Sequence, residues 1–108
     1  MRHENMLVKG YKNNFETRTL DSFNLEKVDI LKIDVEGFEC DVVEGAINTI
    51  SKHKPKIIIE THGSRLRDKC TELLGSLGYR VVRKGKQTKS DVFDEVVILF
   101  FSYNNTDP

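Results

Sequence analysis

Hydrophobic positions along this chain follow two patterns that take turns. Short, nearly continuous apolar runs occupy residues 29–35, 57–59, 79–83 and 95–103. Their branched side chains suit a pleated, covered surface. Continuous rather than alternating apolarity predicts a strand buried on both faces of a parallel sheet, most clearly at 29–35. Between the first two runs the spacing becomes helical. Val42, Val43, Ala46, Ile47 and Ile50 line one face of a helix over 39–52, and Pro55 bars its continuation. Leu66, Cys70, Leu73, Leu74 and Leu77 form a second stripe, with Ser64 as its cap and Gly78 as its stop. Residues 15–19 alternate enough for a short strand. Thr19 or Asp21 then caps one helical turn through Phe23 and Leu25. Residues 1–14 read as a loose arm, or a short strand at Met6-Leu7-Val8, residues 84–94 as a polar loop and 104–108 as a tail. The order β-α-β-α-β-β predicts an α/β sheet with two right-handed crossovers and a closing antiparallel hairpin.

The chemistry concentrates where the first strand meets the first helix, in Asp29-Ile30-Leu31-Lys32-Ile33-Asp34-Val35-Glu36-Gly37-Phe38-Glu39. Open α/β sheets bind ligands outside the carboxyl ends of their strands. Asp34 and Glu36 share a face if the strand continues that far, and Gly37 permits a sharp turn. Glu36, Glu39 and Asp41 sit where a helix dipole favours acid, Lys52 and His53 where it favours base. Gly45, inside the helix, reads as a point of close helix–sheet contact. The second strand ends in Glu60-Thr61-His62-Gly63. Parallel neighbours end side by side, roughly 5 Å apart. Asp34, Glu36, Glu60 and His62 are therefore expected to converge and to perturb one another's pKa values, which is how a base near neutrality is made.

Each of these residues has a plainer reading. Asp34 could fix a turn, Glu36 could serve the helix start, Glu60 could tie two loops, and His62 could be an ordinary loop histidine. Asp21 reads as a cap fixing the loop beside Asp34, and His3 and His53 as surface residues. Hard oxygens plus one imidazole would suit Mg²⁺ or Mn²⁺, but the spacing does not establish a site, and no metal is assigned.

Composition narrows the picture. At 108 residues the chain is at most one domain. Its 17 basic and 17 acidic residues cancel, leaving no single-sign field for nucleic acid or an anionic membrane. The cluster Arg80, Arg83, Lys84, Lys86 and Lys89 reads as a solvated hairpin end. Cys40 and Cys70 make no metal-finger spacing and read as small buried apolar groups on the two helices. No apolar run approaches the roughly 20 residues that cross a bilayer. With no signal peptide at the amino terminus, a cytoplasmic protein is expected.

Four segments carry a resemblance. Thr19-Leu20-Asp21-Ser22-Phe23, then Leu31 through Glu39, then Val43-Glu44-Gly45-Ala46, then Ile58-Ile59-Glu60-Thr61-His62 resemble, in order and separation, the FkbM-type methyltransferase family. The resemblance implies a Rossmann-like methyltransferase sheet, of which these elements are the second half: parallel strands with a closing antiparallel hairpin. It implies S-adenosylmethionine as cofactor and O-methylation of a sugar, glycan or natural-product hydroxyl. It places Asp34 first, and Glu36 second, against the transferred methyl or its acceptor.

The family's first half carries a glycine-rich cofactor turn. Here Gly10 is the only glycine before the central strand, and no GxGxxG cluster occurs. Residues 1–108 are thus expected to be a partial domain that binds the cofactor poorly alone. One edge of strand 29–35 is expected to be bare, or covered by residues 6–19, a missing amino-terminal half or a second copy. A rival reading is a truncated, non-catalytic α/β piece with a binding or regulatory role. A third is a small metal-dependent hydrolase-like domain using the acid cluster.

Overall fold

A four-stranded sheet organises the molecule, described by a computed structural model over residues 17–87 and 96–104. In chain order the elements are a 3-10 helix (Leu20–Phe23), β1 (Ile30–Ile33), α1 (Glu39–Glu44), α2 (Ile47–His53), β2 (Lys56–His62), α3 (Ser64–Ser76), β3 (Tyr79–Gln87) and β4 (Val96–Tyr103). The strand order is β1-β2-β4-β3. β1 and β2 are parallel, with Ile33 opposite Ile59. β4 runs antiparallel to both of its neighbours. This is a mixed α/β fold with one parallel pair. The expected hairpin forms between β3 and β4, but it does not close the sheet at its margin: β4 inserts between β2 and β3.

One face of the sheet carries the core. Ile33, Ile57, Ile59, Leu99 and Phe101 are buried there with Val43, Ala46, Ile50, Cys70 and Leu74 from the helices. Each such large side chain contributes about 1.5–3 kcal/mol through the area it withdraws from water. Tyr79 is buried at one end, where its hydroxyl donates to the carbonyl of Pro55 at 2.6 Å. Burial, then the neighbouring Tyr103, pushes the Tyr79 pKa up to about 12. Gly78 ends α3 as expected, at φ +97; a Cβ there would meet the Tyr103 ring at 2.6 Å.

Among the described residues the opposite face is open. Ile30 is 62% exposed and Val82 44%. A groove of about 280 Å³ runs across that face between Ile30, Ile58, Val82 and Phe100. β1 therefore departs from the expected strand buried on both faces: among the described residues it is a four-residue edge strand with β2 on one side.

Other departures have local causes. The helix expected over 39–52 is broken at Gly45–Ala46 into α1 and α2. A Cβ on Gly45 would lie 3.0 Å from the Thr19 side chain, so the close approach is to the segment before the 3-10 helix, not to the sheet. Ala46 offers no capping side chain to α2. Asp21 supplies it from elsewhere in the chain: Oδ2 accepts from the Asn48 amide at 2.9 Å, and Oδ1 from the Thr49 amide and hydroxyl, both at 2.7 Å. Asp21 is thus a cap, but of α2 rather than of the loop beside Asp34. Thr19 caps the 3-10 turn, its hydroxyl accepting from the Ser22 amide at 3.3 Å.

Residues 17–19 form no strand. Gly63, at φ +94, rather than Ser64, stands at the amino end of α3, where no side chain caps. β3 extends through Gln87 because β4 pairs with it along that length, across a register shift between Val81 and Arg83. His53 is half-buried, its Nε2 3.0 Å from the Leu25 carbonyl oxygen. The expectations for residues 1–16, including His3, and for 88–95 and 105–108 lie outside the described residues. No helix among the described residues is long and apolar enough to cross a membrane.

Candidate active site

The carboxyl ends of the parallel pair define the site. β1 stops at Ile33, level with Ile59, and the chain leaves the sheet at Asp34. A turn follows, with the Phe38 amide donating to the Val35 carbonyl at 3.1 Å and Gly37 at φ +85. Because the strand ends before Asp34, the two-residue alternation expected to align Asp34 with Glu36 has no strand to act through. Both side chains are exposed. β2 continues three residues further, where Glu60, Thr61 and His62 pair with Ile98, Val97 and Val96 of β4. Asp34 thus departs at the level of Glu60. Thr61 faces inward, fully buried, its hydroxyl donating to the Val97 carbonyl at 2.7 Å. Glu60 and His62 are half-buried.

His62 has a definite partner, and it is not one of the other three. Its Nδ1 lies 2.5 Å from Oε2 of Glu39. The imidazole is 13% exposed and the carboxylate 0%. The second carboxylate oxygen, Oε1, is buried without a hydrogen-bond partner. Glu39 opens α1 and His62 closes β2, so the turn at 34–38 and the end of the sheet together bring them into contact. Sequence reasoning read Glu39 only as a complement to the helix dipole. A sharper signal was present: Glu39 precedes Val43 by four residues and so lies on the buried stripe that continues through Ala46 and Ile50.

Beneath this pair the two cysteines meet. Cys40 Sγ lies 3.1 Å from Cys70 Sγ, joining α1 to α3, and both are free thiols. Burial pushes both thiols up, with Glu39 adding to the rise in each case. They behave as core groups rather than nucleophiles. Among the described residues no three His, Cys, Asp or Glu side chains converge to hold a metal ion.

Residues 8–96 match the family model of the methyltransferase FkbM domain. The chain belongs to the FkbM methyltransferase family. Comparison with curated proteins returned no match. FkbM membership points to methyl transfer and, in general terms, to S-adenosylmethionine as methyl source. That cofactor carries a cationic sulfonium, which the exposed carboxylates of Asp34 and Glu36 complement in charge. The described residues hold no glycine-rich turn for its remaining parts.

Proposed function

We propose that this chain is the acceptor-side, second half of a Rossmann-like FkbM methyltransferase domain, directing O-methylation of a sugar, glycan or natural-product hydroxyl. One observation supports the reading: within a family-matched chain, β1 ends at Ile33 opposite Ile59 of its parallel neighbour β2, so that Asp34 leaves the sheet level with Glu60 while β2 runs on to His62. When bound, S-adenosylmethionine supplies an electrophilic methyl group. The residues of this chain orient the acceptor hydroxyl and hold its proton. Asp34 is the first candidate to face the acceptor and Glu36 the second; Glu60 and His62 supply the neighbouring strand end. In this reading the cofactor turn comes from further polypeptide pairing along β1, either an amino-terminal half or a second copy, since β1 lies at an edge of the sheet among the described residues.

Calorimetric titration with S-adenosylmethionine, followed by methyl transfer to a panel of sugar and polyol hydroxyls, tests this reading. Transfer that falls when Asp34→Asn or Glu60→Gln is introduced supports it. Transfer indifferent to all four residues overturns the site.

The open sheet face favours a second reading, a non-catalytic α/β piece that binds a partner. Silence toward the cofactor, with and without Mg²⁺, would favour that alternative.

A further inference from the structure

The Glu39–His62 pair is the feature that the fold itself explains least. A carboxylate withdrawn fully from water loses several kcal/mol of hydration, and only one of its oxygens is repaid by a hydrogen bond. A side chain of similar size without charge would fill the same space on the buried stripe at no such cost. The pair is also placed where it can act. His62 is the last residue of β2, at the margin where Asp34 leaves the sheet.

Which ring nitrogen carries hydrogen depends on the partner: against an ionised carboxylate, which can only accept, the shared proton belongs to Nδ1. Nε2 then carries the lone pair on a side chain that keeps 13% of its surface exposed. We infer that Glu39 is a positioning residue, holding His62 in the Nδ1–H tautomer so that Nε2 takes the proton of a neutral hydroxyl acceptor. The acceptor O–H bond breaks, its electron pair stays on oxygen, and an N–H bond forms at Nε2. The imidazolium that results is balanced by the carboxylate already beside it. An alcohol needs such a base, whereas an acceptor that is already anionic does not, so the pair selects for hydroxyl groups.

This inference rests on the methyltransferase reading, and the test separates the two. ¹⁵N NMR of the full chain, at a pH where the imidazole is neutral, reports which ring nitrogen bears hydrogen. Wild type is expected to show a protonated Nδ1 and a bare Nε2 at His62. Glu39→Met keeps the volume and removes the acceptor. It is expected to shift the ring toward the Nε2–H form that free histidine favours, to leave the urea midpoint unchanged or raised, and to slow methyl transfer on the order of 10²-fold.

An Nε2–H tautomer in wild type overturns the inference without any variant. So does a Glu39→Met chain whose tautomer is unmoved, or one that unfolds, because Glu39 would then serve the fold. A fixed Nδ1–H tautomer with no transfer to any hydroxyl, once the polypeptide that supplies the cofactor turn is present, counts against the methyltransferase reading instead.

Discussion

Asp21 and Glu39 are both acids set against the helical layer, and they are treated in opposite ways. Asp21 is half-buried with both oxygens engaged by three donors from α2. Glu39 is fully buried with one oxygen engaged and the other left alone. Burial acts on Asp21 first, pushing its pKa up, but the Thr49 hydroxyl and the Asn48 and Thr49 amides outweigh it and hold the carboxyl below its usual range. The structure around Asp21 therefore rewards its charge. Among the described residues no comparable set of donors surrounds Glu39, whose one hydrogen-bond partner is the His62 imidazole. The contrast separates an acid whose charge the fold rewards from one that it buries with a single hydrogen bond.

The contrast can be broken most forcefully at His62. Replacing it with Gln removes the proposed proton acceptor and should lower methyl transfer about 10²-fold or more, equivalent to about 2.7 kcal/mol of barrier. The denaturation midpoint should move little, and a rate unchanged from wild type would end the assignment.

Asp21→Ala should act on stability instead. Loss of a helix cap costs about 1–2 kcal/mol, read from urea denaturation, with transfer per folded molecule retained. The sign of the pH effect follows from the lowered pKa. The contribution of Asp21 is fully present above the unfolded carboxylate pKa and is lost as pH falls through the lower folded value. Wild type should therefore lose more stability than Asp21→Asn on acidification, and equal losses would show that the cap carries no charge-dependent share.

Glu39→Met, by comparison, should leave stability unchanged or raise it by about 1 kcal/mol. A loss as large as that of Asp21→Ala would erase the distinction between the two acids. The smallest effect expected is at the cysteines. Alkylating reagents should label Cys40 and Cys70 in the native chain no faster than global unfolding permits, since both thiols are buried and pushed up in pKa. Rapid native labelling would show that the layer beneath Glu39 opens.

The sequence announces elements better than it announces neighbours. The branched runs at Ile57–Ile59 and Val96–Phe101 and the stripe through Leu66, Cys70 and Leu74 were legible because burial imposes their period. The break at Gly45–Ala46 was not, since the apolar spacing runs straight through it. Contact with Thr19 and capping by Asp21 divide the helix, and both come from residues more than twenty positions earlier. β3 outruns its apolar residues because pairing with β4, not hydrophobicity, extends it. The open face of β1 could not be read from an apolar run that looks the same whether covered or bare. Of the site, the strand ends were legible and the partner of His62 was not, because a charged residue at a helix start has an adequate local explanation that hides its tertiary one.

The position of β4 has a consequence for how the molecule is made. It is the last strand in the described chain, yet it lies between two strands synthesised before it. While a nascent chain is still emerging, β2 and β3 have no edge in common, and the central seam of the sheet stays unzipped until residues 96–103 leave the ribosome. Assembly of the sheet is therefore a late, all-at-once event, and a ribosome stalled just short of Val96 would hold a β1–β2 pair with β3 still waiting for its place.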